Sequence, residues 1–410
     1  VLHERLPGKA RRILQRICHD IDFDRSQLGN NQRKSVTPDD VFNAVAETSG
    51  VPQETLRGIA EKRDYDRSLK EFIIGQDHAV KEVATELGLI KAGLVDDGKP
   101  ASVMMFVGQT GTGKTEMAKA LARFYSNTKR LRTYTLGNMV EAHSVSSIIG
   151  VPPGYVGHDR GGKIVQDLNS DPHCVFLLDE ADKAHPDVLQ PFLNLFDEGW
   201  IRDQRGVQAF ANKAIFILTT NVGQRMVMDM AKQGKTPEEM AARMKETLAQ
   251  IKHAKLNRPV FAPEFLARLK RVIVFQPLAR EAMLGISQKL VRERQQAWQV
   301  HRGKTLEIAP LLVESIGEES HRRNDKSEGK EGGRIVRKLL SEYLEANLQR
   351  AISDNPQEYT DCRTVRVNAS PRSDPLPAST NGDRVDERDY PGPDQLQITV
   401  NFVQDPHSGS

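Results

Sequence analysis

The chain is poor in cysteine and lacks a long apolar run, and each shortage excludes a class of protein. Its three cysteines, Cys18, Cys174 and Cys362, lie far apart in 410 residues and form no CxxC pair. This usage argues against a disulfide framework and a cysteine-based metal site, and it predicts a reducing, cytoplasmic environment. No apolar stretch approaches the roughly eighteen residues that a membrane-spanning helix needs, and no signal peptide is visible, so we expect no membrane partner.

A strong charge of either sign is also missing. The 58 lysine and arginine residues nearly balance the 55 aspartate and glutamate residues, which leaves a net charge of +3, and the two signs are interspersed. A balanced surface argues against a nucleic-acid partner, since such partners usually require a basic patch. The length predicts two or three domains. Because the sequence begins at Val1 rather than methionine, we expect it to be part of a longer chain.

The most informative stretch is glycine-rich and reads GQTGTGKT at residues 108–115. It fits the phosphate-loop pattern GxxxxGK[ST] at every fixed position, with an apolar strand before it and an amphipathic helix after it. Its glycines let the backbone turn and direct N–H groups at phosphate oxygens, and the helix N-terminus adds a positive dipole. Lys114 supplies a charge for the β and γ phosphates, and the Thr115 hydroxyl can ligate Mg²⁺. The predicted nucleotide-binding residues are Gly108, Gln109, Thr110, Gly111, Thr112, Gly113, Lys114, Thr115 and Glu116.

A second apolar run, residues 174–178, ends in Asp179 and Glu180 and completes the expected site. A continuous apolar run is typical of a strand that is buried on both faces of a parallel sheet. At its end Asp179 can hold Mg²⁺, directly or through water, and Glu180 can orient and deprotonate an attacking water as a general base. Acidic pairs at strand ends are mostly just solvated, but after a phosphate loop this pair predicts a nucleoside triphosphatase that uses Mg²⁺.

Hydrophobic periodicity separates a large central region from its flanks. Residues 1–50 predict a small helical region, and the charged residues 51–70 predict a linker with a helix. In residues 71–276 apolar runs alternate with amphipathic helices, which predicts an α/β domain with a parallel sheet and helices on both faces. The predicted strands of this sheet are residues 103–107, 174–178, 214–219 and 272–275.

Residues 277–403 differ in character and predict a separate, smaller α+β domain. Within it, residues 369–395 are rich in Pro, Asp, Arg, Ser and Gly and almost free of large apolar side chains. Such a segment cannot bury enough surface to offset its ordering entropy, so we expect a disordered insertion there. The other predicted elements are helices at 279–300 and 334–352 and strands at 364–367 and 396–400.

Four stretches carry a resemblance to a known family. GVPPGYVG at residues 150–157 resembles the pore loop of the Clp class of AAA+ protein unfoldases, and DEADKAHPDV at 179–188 resembles the family's extended second nucleotide motif. FAPEFLAR at 261–268 resembles the segment that ends in the arginine finger, and IIGQD at 73–77 resembles the stretch that packs on adenine. The match runs in order along most of the chain and is most similar to the second ATPase module of ClpA-, ClpB- and ClpC-type proteins. Residues 1–50 resemble the small-domain end of a preceding module.

The resemblance implies an AAA+ P-loop fold, ATP as the nucleotide and a homo-hexameric ring. It implies that Arg268 reaches the γ-phosphate bound by the neighbouring subunit, as an arginine finger. It also implies that Asn221 is the sensor 1 residue, which contacts the γ-phosphate or the attacking water, and that Arg334 is the sensor 2 residue. Ile73 and Ile74 are implied to contact adenine.

The implied pore loop is Gly154-Tyr155-Val156-Gly157. Flanking glycines allow the loop to move, and an aromatic side chain at its tip can grip an extended polypeptide without reading its sequence. ATP hydrolysis would then move the loop along the ring axis and drag the substrate through the pore. The alternative is that Tyr155 is a turn residue that packs on its own domain.

Several residues depart from the family pattern. Residues 135–139 read TLGNM where the family usually has DMSEY, Ser147 replaces an arginine, and His158 replaces an aromatic residue after the pore loop. Gly333 stands before Arg334 where an alanine is usual. The helical stretch after Asn221 contains neither Ile-Gly-Leu nor Ile-Gly-Phe, the tripeptides through which ClpA and ClpX dock on ClpP. A ClpP-type peptidase partner is therefore not expected.

Three functions stay open at this point. The first is an ATP-driven unfoldase or disaggregase that acts on unfolded or aggregated proteins. The second is a nucleic-acid-remodelling P-loop motor, against which the balanced charge argues and which salt-dependent DNA binding would favour. The third is a nucleotide-gated scaffold that binds ATP but barely hydrolyses it.

Overall fold

The computed structural model describes residues 8–28, 35–49, 53, 64–96, 98–126, 128–253, 256–372 and 391–404. They form two compact units, each with its own hydrophobic core. The first unit comprises Val1–Ile73, Asp77–Gly108 and Lys114–Val274. The second unit comprises Ile74–Gln76, Gln109–Gly113 and Phe275–Ser410. None of the helices described has both the length and the apolar character of a membrane span.

The first unit contains a large sheet, a two-stranded hairpin and many helices. Its helices are α1 (Gly8–Leu28), α2 (Pro38–Ser49), α3 (Tyr65–Lys70), α4 (Asp77–Lys91), α5 (Lys114–Tyr125), α6 (Ser146–Ile149), α7 (Lys163–Ser170), α8 (Pro186–Glu198), α9 (Gln224–Lys232), α10 (Pro237–Gln250) and α11 (Pro263–Ala267). Its strands are β1 (Ser102–Gly108), β2 (Leu131–Thr135), β3 (Val175–Asp179), β4 (Trp200–Arg202), β5 (Gln208–Phe210), β6 (Ile215–Thr220) and β7 (Arg271–Phe275).

The large sheet has the strand order β2-β3-β6-β1-β7. The pairs β2/β3, β3/β6 and β6/β1 are parallel. Strands β1 and β6 are buried along their whole length, because helices cover both faces of a parallel sheet. The predicted parallel α/β core is therefore confirmed, and each of its four predicted strands lies within one residue of the observed bounds.

Strand β2 was not predicted, because its sequence lacks the apolar run of a central strand. It lies at the edge of the sheet, and of its five residues only Tyr134 is buried. An edge strand pairs on one side only and tolerates polar side chains. The hairpin β4/β5 was also not predicted, since each of its strands has only three residues. The segment after β2 contacts Glu180 through Gly137, and the hairpin contacts the segment 149–162.

The second unit is a smaller α+β structure, as predicted. Its sheet has the order β10-β9-β8, in which β9 and β10 are antiparallel and β8 and β9 are parallel. The predicted helix at 334–352 is observed as α14, a π-helical stretch at Leu340–Glu345 and α15. Its elements are α12 (Arg280–Arg302), β8 (Thr305–Ile308), α13 (Pro310–Lys326), α14 (Arg334–Leu339), α15 (Ala346–Asp354), α16 (Pro356–Asp361), β9 (Thr364–Pro371) and β10 (Leu396–Val403).

The predicted insertion at 369–395 is too wide at both ends. Strand β9 continues through Pro371, and its last residues pair with the start of β10. The polar side chains at the end of β9 do not indicate a strand, because the strand is held there by backbone hydrogen bonds to β10. Residues 393–395 form a short 3₁₀ turn. Residues 373–390 of the predicted insertion lie outside the described residues.

The predicted boundary after residue 276 also needs a correction. Two short segments assigned by sequence to the large domain, Ile74–Gln76 and Gln109–Gly113, belong to the second compact unit. Within that unit the Gln76 side-chain amide donates to the carbonyl oxygens of Thr112 (3.1 Å) and Gln276 (2.9 Å). These hydrogen bonds tie segments that are distant in sequence, so composition could not predict them. Helices α1 and α2 occupy the predicted helical region, and their assignment to a preceding module stays a prediction; most of 51–63 lies outside the described residues.

Candidate nucleotide site and aromatic loop

The candidate chemistry gathers where three neighbouring strands of the sheet end. Strands β1, β6 and β3 are adjacent and parallel, so their carboxyl ends meet at one edge. Gly108 ends β1, Asp179 ends β3, and Asn221 follows β6 directly. In open α/β sheets this edge is where ligands bind. The sequence prediction that these residues share one site is therefore supported by the topology.

Lys114 joins two of these strand ends. Its ammonium group Nζ donates to the carbonyl oxygen of Gly108 at 2.6 Å and to Oδ1 of Asn221 at 2.8 Å. The residue is only 8% exposed, so burial and these two acceptors fix where the charge lies. The structure thus brings the predicted phosphate-binding lysine and the predicted sensor 1 asparagine into direct contact.

Thr219, on β6, holds the acidic pair in place. Its hydroxyl donates to Oδ1 of Asp179 and accepts a hydrogen bond from the backbone N–H of Glu180 at 3.0 Å. One buried hydroxyl therefore orients the predicted Mg²⁺ ligand and the backbone of the predicted general base. Sequence reasoning missed Thr219 because it lies inside an apolar run, and only the β3/β6 pairing shows which residues it faces.

Glu180 has an uncommon backbone conformation for a residue with a side chain. Its φ of 55° lies in the left-handed region, where strained residues at functional sites are often found. The Glu180 carboxylate pairs with the Lys183 ammonium group at 2.9 Å. It also lies against Gly137 so closely that a Cβ at position 137 would overlap the carboxylate. TLGNM departs from DMSEY at all five positions, and one of them, Gly137, is therefore in contact with the predicted general base.

Asp182 connects the turn after Glu180 to the end of β6. Burial raises the pKa of Asp182, and the nearby Thr220 hydroxyl offsets only part of that effect. Thr220 directly precedes Asn221. One carboxylate oxygen of Asp182, Oδ1, is buried without a hydrogen-bond partner among the described residues.

The residues expected to hold Mg²⁺ have suitable chemistry. Thr115 lies in the first turn of α5, and Asp179 ends β3. A hydroxyl and a carboxylate are the oxygen ligands that Mg²⁺ prefers, completed by waters and phosphate oxygens. Glu116, a predicted nucleotide-binding residue, pairs with Lys119 on its own helix at 2.9 Å, and its role toward ATP stays a prediction.

The phosphate-loop residues 109–113 make their described hydrogen bonds within the second unit. The N–H of Gly333 donates to the carbonyl oxygen of Gly111 at 3.0 Å, and the Thr112 hydroxyl donates to the carbonyl oxygen of Gln109 at 2.8 Å. Gly111 and Gly113 have φ values of 77° and 104°, which favour glycine. A Cβ built on Gly113 would meet no described heavy atom within 4 Å, so this side of the loop leaves room for a phosphate.

The predicted sensor 2 and adenine-contacting residues have definite places. Arg334 is the first residue of α14, directly after Gly333, so the segment that carries it contacts the phosphate loop inside the second unit. Ile73 is buried in the first unit, and Ile74 contacts Gly285 of α12 in the second unit. Their assigned roles toward ATP stay predictions.

Arg268 follows α11 and has a partner within its own chain. Its Nη2 lies 2.8 Å from Oδ2 of Asp197, near the end of α8. Both side chains are partly exposed, so the pair lies at the surface of the unit. A surface position suits a side chain that serves a neighbouring subunit, and this role stays a prediction.

The aromatic loop, defined here as residues 150–162, carries exposed side chains at the surface of the first unit. Tyr155 is 70% exposed and Val156 is fully exposed, while Gly154 and Gly157 have φ values of 89° and 96°. The alternative that Tyr155 packs on its own domain is therefore wrong for this conformation. His158, which departs from the family pattern, contacts the carbonyl oxygen of Val151 through Nδ1 at 2.9 Å.

Comparison with known proteins gives a consistent family. The family model described as AAA domain (Cdc48 subfamily) matches residues 99–272. The chaperone protein ClpB2, chloroplastic, of Oryza sativa subsp. japonica is 35% identical over 344 residues, which are 83% of this chain and 34% of that protein. A ClpA homolog protein of Fuscovulum blasticum is 34% identical over 331 residues, which are 78% of this chain and 39% of that protein. The chain thus spans well under half the length of these curated relatives.

A solved structure agrees with these matches. A closed-state cryo-EM reconstruction of Hsp104 with ATPγS and FITC-casein superimposes with a TM-score of 0.70 at 25% sequence identity. The similarity covers 89% of this chain and 60% of that one. It extends well beyond residues 99–272 and so includes segments on both sides of the family match.

Proposed function

Since this chain belongs to the Clp class of AAA+ proteins, we propose that it hydrolyses ATP and uses the energy to unfold or disaggregate proteins. It acts as one module of a homo-hexameric ring that threads unfolded or aggregated polypeptide through its pore. The chain covers only part of its relatives, so this proposal concerns the module itself. The proposal also includes a cytoplasmic location, and it includes that no ClpP-type peptidase docks on the chain through the usual tripeptide.

The observation that carries the proposal is the hydrogen-bonded network at the strand ends. Lys114 contacts Asn221, and Thr219 contacts both Asp179 and Glu180. A strand–loop–helix motif alone would support nucleotide binding. A positioned acidic pair beside it supports hydrolysis as well, since hydrolysis also needs a group that orients and deprotonates water.

Each residue then has a physical task. Lys114 and the N–H groups of the phosphate loop bind the phosphates, and Asn221 orients the γ-phosphate or the water. Thr115 and Asp179 would hold Mg²⁺, which when bound offsets phosphate charge. Glu180 takes the proton from the attacking water. By resemblance, Arg268 is proposed to stabilise transition-state charge at the site of a neighbouring subunit, and Arg334 is proposed to tell the small domain whether ATP is bound.

The aromatic loop supplies the substrate contact in this proposal. An exposed tyrosine and valine between two glycines offer apolar area at low rotamer cost. Such a tip can grip many sequences, as a processive unfoldase requires. The neutral charge balance of the chain favours polypeptide over nucleic acid as the substrate.

The test compares the chain with Glu180→Gln and Tyr155→Ala in steady-state ATP turnover, over a range of protein concentrations and with or without fluorescein-labelled casein. Turnover per subunit should rise with concentration, because ring assembly completes the site. Glu180→Gln should lose about a hundredfold or more of the turnover while still binding ATP. Tyr155→Ala should keep basal turnover and lose the stimulation of turnover by casein.

Two results would contradict the proposal. ATP binding without turnover at any concentration would favour the nucleotide-gated scaffold. Turnover that responds to single-stranded DNA but not to casein, with salt-dependent DNA binding, would favour the nucleic-acid motor.

A further inference from the structure

The hairpin β4/β5 carries a fully buried carboxylate at its turn. The Asp203 side chain is 0% exposed, and its two oxygens accept hydrogen bonds from several donors. Oδ1 accepts from the N–H groups of Arg205 (3.0 Å) and Val207 (2.9 Å), and Oδ2 accepts from the N–H of Gly162 (3.2 Å) and from Nε of Arg205 (3.1 Å). Burial by itself would raise the pKa of Asp203, but these donors outweigh it and lower the pKa below its ordinary value. The group is therefore a charged carboxylate with a defined structure around it.

Only some of these bonds stay inside the hairpin. Those from Arg205 and Val207 shape the turn, as a buried aspartate commonly does. The bond from Gly162 reaches a different segment, the residue that leaves the aromatic loop and precedes α7. Asp203 therefore links the hairpin to the end of that loop.

The start of the loop is held by the same turn. The N–H of Gln204 donates to the carbonyl oxygen of Ile149 at 3.0 Å, directly before the loop begins. The two ends also touch each other, since a Cβ on Gly162 would lie 2.9 Å from the Ile149 backbone, and a Cβ on Gly150 would lie 2.9 Å from the Gly161 backbone. The loop thus leaves and re-enters the unit through a narrow neck, defined here as residues 149–150 and 161–162.

The guanidinium group of Arg205 contacts the second side of the neck. Its Nη1 donates to the carbonyl oxygen of Asp159 at 3.0 Å, and its guanidinium lies against Gly161 so closely that a Cβ there would overlap it. The guanidinium is 31% exposed, with its inner edge on the buried Asp203. Asp203 and Arg205 together contact the end of the loop, and the neighbouring Gln204 contacts its start.

The chain connects this neck to the candidate ATPase site by two routes. From Gly162, α7 leads into β3, which ends in Asp179. From the hairpin, the chain leads into β6, which carries Thr219 and ends before Asn221. The neck therefore precedes β3 in the chain, and the hairpin that contacts it lies in the chain between β3 and β6. A displacement of the β3 end can reach the loop along α7, whereas a displacement of the β6 end reaches it through the hairpin and the hydrogen bonds that fix the neck to the hairpin.

We propose that Asp203 and Arg205 are positioning residues that fix the aromatic loop to the β4/β5 hairpin, so that changes at the nucleotide site move Tyr155 against a polypeptide substrate. This inference rests on the proposed function. It assigns to the hairpin turn a role in substrate grip that is separate from ATP chemistry. The loop tip stays exposed, while its base moves as one body with the hairpin.

The test uses Asp203→Asn and Arg205→Gln, with Arg205→Lys as the conservative variant. Asp203→Asn replaces one of the two accepting oxygens by an amide group that donates, so the variant loses the hydrogen bonds that this oxygen accepts. Arg205→Gln leaves the backbone bonds of Asp203 in place and is the informative variant if Asp203→Asn does not fold. Arg202→Gln is the matched control, since Arg202 lies on the same hairpin and its guanidinium stacks over Trp200.

Two readouts are measured on the full chain: ATP turnover against casein concentration, and amide hydrogen exchange of residues 150–162. We expect basal turnover to stay within about twofold, while the half-saturating casein concentration rises about tenfold. Exchange in 150–162 should accelerate locally. Arg205→Lys should recover part of the casein response, Arg202→Gln should match the unmodified chain, and Asp203→Asn combined with Tyr155→Ala should be no worse than Tyr155→Ala.

Other outcomes overturn the inference. An unchanged casein dependence, or basal and casein-stimulated turnover that fall in proportion with the thermal midpoint, would show a merely structural role. If casein does not change the ATP turnover of the unmodified chain, the proposed function fails on its own. The exchange measurement then still decides whether Asp203 fixes the neck, and unchanged exchange in 150–162 would refute that.

Discussion

The strand-end network and the aromatic loop are fixed in opposite ways. Lys114 is almost completely buried, and Asp179 and Glu180 are tied through Thr219. Tyr155 and Val156 are exposed, and the loop that carries them is held at its neck. Chemistry requires groups that do not move during the reaction, whereas grip requires a surface that moves as a body. One sheet can therefore carry both the strand-end network and the aromatic loop, provided that only the residues between the two sides of the neck move.

The largest expected effect concerns a residue that belongs to neither region. Arg268→Ala should lower ATP turnover by about a thousandfold, because an arginine finger stabilises charge that develops in the transition state. ATP affinity should change little, since the strand-end network of the same chain stays intact. Steady-state turnover and nucleotide binding measure the two effects. Arg258→Ala is the matched control, since Arg258 makes a similar partly exposed pair with Asp187 at 3.1 Å.

Mixing variants tests where the finger acts. A subunit with Arg268→Ala keeps its own Glu180, and a subunit with Glu180→Gln keeps its own Arg268. Mixed rings should therefore regain part of the turnover if Arg268 serves the neighbouring subunit. Mixtures that remain as inactive as the separate variants would contradict action between subunits and favour a role in the Asp197 pair alone.

The next effect tests whether the sheet that carries the rigid region depends on a buried charge. Glu86 on α4 is fully buried and pairs with Lys270 at 2.7 Å and with Arg271, the first residue of β7, at 2.8 Å. Glu86→Gln should lower the free energy of unfolding by about 2 kcal/mol, because it removes the partner of two cations at the sheet edge. Chemical denaturation measures it, with Glu82→Gln as the more exposed control on the same helix.

The pH dependence of the free energy of unfolding tests whether Glu86 stabilises the fold as a charged carboxylate. Burial alone would raise the pKa of Glu86, but the hydrogen bond from Arg271 and the nearby ammonium group of Lys270 outweigh it and lower the pKa below its ordinary value. A carboxyl whose folded pKa is lowered stabilises the fold above its unfolded pKa and loses that contribution as pH falls through the folded value. The stability difference between the chain and Glu86→Gln should thus be complete at neutral pH and shrink in acid. A pH-independent difference would contradict the charge argument.

The two regions also differ in how far sequence could predict them. The strand-end residues lie in contiguous motifs after apolar runs, so Lys114, Asp179, Glu180 and Asn221 could be placed together in advance. Thr219 could not, because a threonine inside an apolar run gains meaning only from the register of β3 on β6. A local pattern identifies the residues that come directly after a strand, but it does not identify the residues of the neighbouring strand.

The neck was even less predictable. Asp203 lies in a turn between two three-residue strands, and its contact with Gly162 spans 41 positions. The edge strand β2 likewise lacked an apolar signal, so the residues after it could be compared with a family pattern but not placed. Sequence therefore predicted the exposed aromatic tip and the residues at the strand ends, while the contacts that hold them required the fold.

The smallest expected effect lies where that unpredicted segment meets the rigid region. Gly137→Ser restores the residue type usual in the resembling family, and its Cβ would overlap the Glu180 carboxylate, which must then rotate away from Lys183. Because the Glu180 side chain is partly exposed and can relax, turnover should fall by about tenfold or less, with ATP affinity unchanged. Gly137→Ala should act equally, since volume rather than the hydroxyl displaces the carboxylate, and Asn138→Ser is the matched neighbour. Steady-state turnover at saturating ATP measures the effect. Unchanged turnover in both Gly137 variants would show that Glu180 works equally well when its carboxylate is displaced from Gly137. The Glu180 side chain would then not belong to the rigid strand-end network.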